Sequence, residues 1–255
     1  MPNPRLTSEL NEALPALRDA PQLLAFSTGA DSLACLIRML EWGMKPQLVY
    51  FEFLPRLYMV ESYLRYVERF FGVVVHRLHS PLFFQFALNG LLQRPGVGMR
   101  VYKALRQRFS CPTTRQMNQW LLTAAPDAWI AIGLRVSDGI WRAKKLLDQG
   151  VTQPDRHEWY PVADCFRSDI VSIIAESGAR LPVDYRLFGR SFESVRHSVA
   201  DQLKVHCPRT WNQLRDYFPM INLLCAQQAL LPVSRDICSR ITSFGHLAFD
   251  NERCV

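Results

Sequence analysis

No stretch of this chain approaches the roughly 20 consecutive apolar residues that a membrane-crossing helix requires. The segment from Met1 to Asn11 also lacks the apolar core of a secretory leader. The expected compartment is therefore the cytoplasm, with no membrane partner. The seven cysteines, Cys35, Cys111, Cys165, Cys207, Cys225, Cys238 and Cys254, stand singly and form no Cys-x-x-Cys pair. Their spacing supports neither a disulfide framework nor a zinc knuckle, and most are expected to be small buried hydrophobes. The histidines never fall at His-x-x-x-His spacing, so that metal-ligand pattern is missing too. There is no internal repeat and no low-complexity tract.

Acidic residues are missing over one long window. Between Glu68 and Asp127 there is no carboxylate, while Arg69, Arg77, Arg94, Arg100, Lys103, Arg106, Arg108 and Arg115 all fall inside it. A stretch of one sign raises the local positive potential and favours a polyanionic partner, a nucleotide or a nucleic acid. The other reading is a solvated helix face balanced in space by acids from elsewhere. Overall the chain carries a net charge of +7, with 49% apolar and 21% charged residues. That balance belongs to a soluble globular protein rather than a disordered one.

Thr7 to Arg18 reads as an amphipathic helix capped by Thr7 or Ser8, with Leu10, Leu14 and Leu17 on one side. Leu23 to Phe26 is a short apolar run, and a helical pattern follows through Leu33, Leu36, Ile37 and Leu40. A second strand is expected over Gln47 to Phe53, a helix over Tyr58 to Phe71 stopped by Gly72, and a third strand over Val73 to Leu78. Pro81 to Gln119 is mostly helical, broken at Pro112 and at Pro95-Gly96-Val97-Gly98, where a mobile loop is expected. Asp127 to Leu134 and His157 to Val162 read as strands, separated by a loop and helix over Arg135 to Gly150. Ser168 is the expected cap of a helix running to Ser177. Beyond Pro182, helices are expected at Ser191 to Val205, Thr210 to Tyr217 and Ile221 to Leu230. Strands alternating with helices in this way specify a parallel sheet covered on both faces.

Between the first strand and its helix lies Ser27-Thr28-Gly29-Ala30-Asp31-Ser32. Small residues there let the backbone approach a ligand, and the amino end of the helix offers unpaired N–H groups and a partial positive charge. Those are the requirements for holding phosphate without a lysine. Ser27 and Ser32 can add hydroxyl donors, while Asp31 can cap the helix or hold a metal ion. The same residues also suit a plain strand-to-helix turn capped by Asp31 or Ser32.

The loop resembles the Ser-Gly-Gly-x-Asp-Ser signature of the PP-loop ATP pyrophosphatase superfamily, and later landmarks resemble its phosphoadenosine-phosphosulfate reductase branch. Gly133-Leu134-Arg135-Val136-Ser137-Asp138-Gly139-Ile140-Trp141-Arg142 is similar to that branch's Gly-x-Arg-x-x-Glu-Ser-x-x-Arg element. Tyr160-Pro161-Val162-Ala163-Asp164-Cys165-Phe166-Arg167-Ser168-Asp169-Ile170 is similar to its Pro-Leu-x-Asp-Trp-x-x-x-Asp-Val stretch. Arg108 to Thr114, around Cys111, stands where the family has a cysteine before a helix. The resemblance covers roughly Leu23 to Phe188.

It implies an α/β fold of the adenine nucleotide α-hydrolase type: a Rossmann-like parallel sheet with helices on both faces, with the ligand at the strand carboxyl ends. Residues 1–188 would form this nucleotide-binding domain and residues 189–255 a helical C-terminal extension packed on it. The resemblance further implies that Ser27, Thr28, Gly29, Ala30, Asp31 and Ser32 hold the phosphates of ATP or a related adenine nucleotide. Glu52 and Gly133 would sit beside them, and Arg135 and Arg142 would approach the anionic end of the substrate. Asp31, Ser32, Arg135 and Arg142 are then the candidate catalytic residues, with Asp31 as the protein contact of Mg²⁺. Arg108, Cys111, Lys144 and Lys145 are candidate substrate contacts. Three departures stand out: Thr28 replaces a glycine and requires a negative φ there, Glu52 replaces an aspartate, and Asp138-Gly139 replaces Glu-Ser.

Reductases of this branch attack sulfur with a cysteine in a carboxyl-terminal Glu-Cys-Gly-x-His segment. None exists here, and the nearest cysteines are Cys207 in His206-Cys207-Pro208 and Cys254 in Arg253-Cys254-Val255. The cysteine set for an iron–sulfur cluster is missing as well. The leading expectation is therefore an enzyme that cleaves ATP between the α and β phosphates and adenylates a substrate. Nucleic acid or a sulfur-carrier protein are the candidate partners, and a homo-oligomer is compatible. A sulfonucleotide reductase and a non-catalytic nucleotide- or nucleic-acid-binding module are the alternatives. Trp120, Trp129, Trp141, Trp159 and Tyr102 can serve either as stacking platforms or as core.

Overall fold

The computed structural model describes residues 2–94, 98–195 and 197–224. The chain opens with α1 (Pro4–Asp19), whose Leu6, Leu10, Leu14 and Leu17 are buried. Its cap is Asn3, whose side chain accepts from the Leu6 amide. Thr7, expected in that place, instead donates its hydroxyl to Asn3 O and to Asp164 Oδ2. There follow β1 (Gln22–Ala25), α2 (Ala30–Glu41), β2 (Gln47–Glu52), α3 (Tyr58–Phe71) and β3 (Val75–His79). Gly72 ends α3 at φ 67°, the left-handed conformation that stops a helix without strain.

Three helices make the crossover to the other side of β1: α4 (Pro81–Asn89), α5 (Met99–Arg108) and α6 (Thr114–Ala124). The loop expected to be mobile falls largely on residues 95–97, outside the described residues. Then come β4 (Trp129–Ile132), α7 (Ile140–Gln149), β5 (Thr152–Gln153), β6 (Glu158–Trp159), α8 (Arg167–Ser177), α9 (Val183–Phe188), α10 (His197–His206) and α11 (Pro208–Tyr217). The expected cap Ser168 lies inside α8, and the Asp169 carboxylate accepts the Phe166 amide at the helix start. Residues 225–230 of the expected last helix lie outside the described residues.

The sheet has the order β3-β2-β1-β4-β6-β5. The pairs β3–β2, β2–β1, β1–β4 and β4–β6 are parallel, and β5 is antiparallel to β6. This is the expected α/β architecture of a mostly parallel, Rossmann-like sheet wrapped by helices. The β5 edge was not expected: His157 takes a left-handed φ of 49° and cuts the strand down to Glu158–Trp159. Connections run to one side of β1 and then cross to the other, so the loops after β1 and β4 part at the carboxyl edge. A crevice at such a switch point is where open α/β sheets bind ligands.

One buried apolar cluster runs from Leu6 on α1 through Leu33 and Leu36 on α2 to Leu203 and Trp211 on α10 and α11. Two of the polar groups inside it are closely matched. Trp159, fully buried, donates to Gln22 Oε1, and Gln22 donates to Leu17 O. Asp164, also fully buried, accepts Arg38 Nη1 at 2.6 Å. Arg38 further donates to Pro161 O. The Asp164 of the Pro-x-x-Asp element thus clamps α1, α2 and the 160–165 turn together.

Candidate phosphate-binding site

The site starts where β1 leaves the sheet. Thr28 adopts φ 60° and Gly29 φ −76°, and α2 begins at Ala30. The expected negative φ at Thr28 is thus corrected: a β-branched residue stands in left-handed backbone, a strained state that persists only when its surroundings enforce it. Thr28 is buried, and its hydroxyl donates to Ser27 O at 2.6 Å. Gly29 does not need its conformational freedom, since its φ is ordinary. Gly133 is the glycine forced by space: a Cβ there would meet Asp31 C and Ser32 N at 3.1 Å.

Ser32 organises the loop from within. Its hydroxyl donates to Gly29 O at 2.9 Å and accepts the Ser27 amide at 3.2 Å. No side chain caps α2 from within the loop, so Asp31 and Ser32 are not its caps. Of the amides at this corner, Gly29 N–H reaches Ser27 Oγ only at 3.4 Å, while Ala30 N–H donates to the Tyr185 hydroxyl at 2.7 Å. The amides of Thr28, Asp31 and Ser32 have no hydrogen-bond acceptor among the described residues. Helix termini leave such donors for water or an anion.

Asp31 points to the β4 side instead of capping. Its Oδ1 lies 2.9 Å from Arg135 Nε, an ion pair whose angle is not that of a hydrogen bond, so the Nε proton lacks an aligned acceptor among the described residues. Arg135 Nη2 pairs with Asp138 at 2.6 Å, and Arg142 pairs with the same carboxylate at 2.9 Å. Burial pushes the Asp31 carboxyl above its ordinary range, and the Arg135 charge pulls it back. Asp138 therefore does a clear job: it holds both arginines beside the loop. Val136 N–H donates to Ala163 O, which ties this turn to the 160–165 segment.

Among the described residues no group of three His, Cys, Asp or Glu side chains is arranged to hold a metal ion. Mg²⁺ at nucleotide sites is carried mainly by phosphate oxygens and water, with one or two carboxylates added. The donor set here fits that case through Asp31 alone, shared with Arg135, and does not fit a resident metal.

Beside the loop, over the carboxyl ends of β1 and β2, opens a cavity of about 230 Å³. It is lined by Ala25, Phe26 and Ser27 on one side, Tyr50 and Phe51 on another, and Phe192 and Glu193 at the lip. The lining is mainly apolar, as expected of a site for a ring system rather than for phosphates. Glu52 is not among its walls. Its side chain accepts the Arg56 amide at 3.2 Å and lies 3.3 Å from His79 Nδ1, so it braces the turn after β2.

The remaining sequence candidates, Lys144, Lys145, Arg108 and Cys111, make no hydrogen bond or ion pair with the loop among the described residues. Lys145 donates to the Tyr160 hydroxyl at 2.5 Å and lies over that ring, and burial lowers its pKa. Lys144 is exposed on α7, Arg108 is exposed at the end of α5, and Cys111 is partly buried between α5 and α6. Cys207 is fully buried, with its sulfur 3.9 Å from Met59 Sδ, whereas Cys254 lies outside the described residues. His157 stacks on Trp129 at the opposite edge of the sheet.

The residues that sequence reasoning missed come from α9 and the irregular segment after it. Tyr185 occupies the Ala30 amide, Ser191 Oγ would lie 3.5 Å from a Cβ on Gly29, and the Asp184 carboxylate accepts the Phe192 amide at 2.6 Å. Asp184 is buried at 2% exposure, its other oxygen is unpartnered among the described residues, and burial raises its pKa to about 7. A short segment whose chemistry depends on where it folds back carries no local signal.

No protein-family model matches the chain, and no curated protein matches it in sequence. Among solved structures it is similar to an NH3-dependent NAD synthetase from Campylobacter jejuni in complex with the nitrate ion, at TM-score 0.39 and 12% identity, covering 90% of this chain and 98% of that one. It is similar in the same degree to NMN synthetase from Francisella tularensis, at TM-score 0.39 and 12% identity, covering 97% of this chain and 98% of that one. A similarity of this size assigns neither substrate nor activity to this chain.

Proposed function

We propose that this chain is a phosphoadenosine-phosphosulfate reductase-like PP-loop protein that binds ATP or a related adenine nucleotide and adenylates a substrate. Residues 1–188 supply the nucleotide-binding unit and residues 189–255 the helical extension, whose first residues reach the lip of the cavity. The observation that carries the reading is the row of amides of Thr28, Asp31 and Ser32, without acceptors among the described residues, beside an apolar cavity of about 230 Å³. Phosphates at the amides place the base in that cavity, over the ends of β1 and β2.

In the proposed reaction an acceptor oxygen attacks the α-phosphorus, the bond to the β-phosphate breaks, and pyrophosphate leaves. Arg135 and Arg142 stabilise the charge that grows on the departing phosphates. Mg²⁺, carried in on the phosphates, would offset their charge with Asp31 as its protein contact. Because Asp31 is already paired with Arg135, the cation and the arginine would share one carboxylate.

Incubation with α-labelled ATP and candidate acceptors tests this. Transfer of the label to the acceptor, with release of pyrophosphate, that disappears in Ser32→Ala supports the enzyme. A second reading, a nucleotide-binding module without turnover, is favoured by the Tyr185 hydroxyl on the Ala30 amide and by Arg135 held between two aspartates. ATP binding by calorimetry without pyrophosphate selects that reading, and no ATP binding removes both.

A further inference from the structure

We infer that α5, α6 and the first turn of α7 form a docking face for single-stranded nucleic acid, leading to the phosphate loop. This names the acceptor class of the proposed reaction and rests on that reading for any chemistry, though not for binding. Three features point to it.

The first is charge without compensation. Within the carboxylate-free window, Arg77 is neutralised by Glu61 and Glu68. Arg100, Lys103, Arg106, Arg108 and Arg115, by contrast, are exposed and form no ion pair among the described residues; Arg106 reaches only the Asn89 amide oxygen. Balance by acids folded in from elsewhere, the alternative that the sequence allowed, is thus not met on α5 and α6 among the described residues.

The second is exposed aromatic surface on the same stretch of chain and on the first turn of α7. Phe109 is 59% exposed, Trp120 58% and Trp141 82%, with Ile140 beside it at 85%. Bulky apolar groups left in water beside unpaired cations suit a ligand that brings both phosphates and ring faces. Bases stack on aromatic side chains whatever their sequence, provided they are not already stacked in a duplex. An acidic protein supplies the charge but not the rings, and a second copy of this chain would bring like charges together across a two-fold contact.

The third is placement. Asn118 of α6 donates to Glu158 on β6, and Lys145 of α7 meets Tyr160 two residues further on, so both helices are tied to the same strand end. α6 leads into β4 and α7 leaves it, which sets the first turns of both toward the carboxyl edge where the phosphate loop lies. The first turn of α7 is joined to that loop through the chain Arg142–Asp138–Arg135–Asp31. A strand laid on this face passes Trp141 as it reaches the site.

Fluorescence anisotropy of the full chain with a labelled oligothymidylate of about 16 nucleotides, a length that fills a small single-strand site, tests the inference. Binding should weaken steeply with salt. Arg108→Ala with Arg115→Ala should lower the log–log salt slope by about 1.4, two contacts at about 0.7 each. Trp141→Ala should weaken binding at least about fivefold with the slope unchanged, the loss of one stacked base. Circular dichroism checks that these surface variants fold. No binding at low salt, binding indifferent to both changes, or equal binding of polyglutamate overturns the inference. ATP affinity measured on the same sample separates the two failures: ATP binding without oligonucleotide binding removes only this face, and the reverse removes only the nucleotide reading.

Discussion

The hydroxyl of Tyr185 sits 2.7 Å from the amide nitrogen of Ala30, 155 residues away in sequence, and accepts the first N–H of the helix that follows the Ser27–Gly29 loop. A residue of the chain thereby occupies one of the donors that an anion would use, and the remaining cradle is made by its neighbours. The tyrosine is deeply buried, with its ionisation pushed upward by burial, so the hydroxyl stays neutral and acts as a plain acceptor.

Tyr185→Phe keeps the ring and removes the acceptor. The buried Ala30 amide then lacks a partner, at a cost of about 1–3 kcal/mol. A phosphate oxygen can take the place of the hydroxyl, so saturating ATP should raise the melting temperature more in the variant than in the parent. Thermal melts with and without ATP check this; equal ATP shifts in both proteins would show that the Ala30 amide is not part of the nucleotide site.

Gly29 and Gly133 should differ. Gly133→Ala drives a methyl group against the backbone of Asp31 and Ser32, which cannot rotate away, and should cost about 1–3 kcal/mol and weaken ATP binding. In Gly29→Ala the nearest atom is the Ser27 hydroxyl, which can turn, and φ is −76°, so its cost should stay below about 1 kcal/mol. Urea titrations of the pair decide it, and the reverse order would mean that the loop moves on folding or binding.

Asp184 gives a pH signature. Its carboxyl titrates near 3.8 when exposed and at about 7 when buried in the fold. Below about pH 4 both states hold the proton and stability is full. As pH rises toward 7 the unfolded chain releases it first, so stability falls, by a total on the order of 4 kcal/mol, and levels off above 7. Asp184→Asn lacks that proton, so the stability gap between variant and parent should move in the variant's favour from pH 4 to 7 and then stay constant. Urea unfolding across that range measures the gap, and a gap independent of pH refutes the assignment.

Arg38 and Asp164 are a structural pair. Arg38→Met leaves a fully buried carboxylate without its cation and should cost about 3–5 kcal/mol. Arg38→Met with Asp164→Asn should recover part of that loss, because the stranded charge is gone. A double variant no more stable than the single one would place the damage in lost packing instead.

Much of this molecule was legible along the chain. The helix Tyr58–Phe71 has the bounds that its apolar spacing and Gly72 predict, and β1, the loop and α2 follow from a short apolar run, small residues and an amphipathic pattern. Each of these signals is local: a period, a cap or a breaker acts within one or two turns. Edges were less legible, because β5 exists only through pairing with β6, and His157 shortens its strand through a backbone conformation that composition does not encode.

The loop's small residues, the helix behind it and the run without carboxylates were set by residue order, since backbone freedom, helix period and charge belong to each residue wherever the chain goes. Which amides stay open was settled by packing in three dimensions. Tyr185 reaches Ala30, Asp138 gathers Arg135 and Arg142, and Glu52 turns to His79 because distant segments meet at the sheet's carboxyl edge. Hydrogen bonds and ion pairs of that kind depend on distances of about 3 Å, and no reading along the chain contains such a distance.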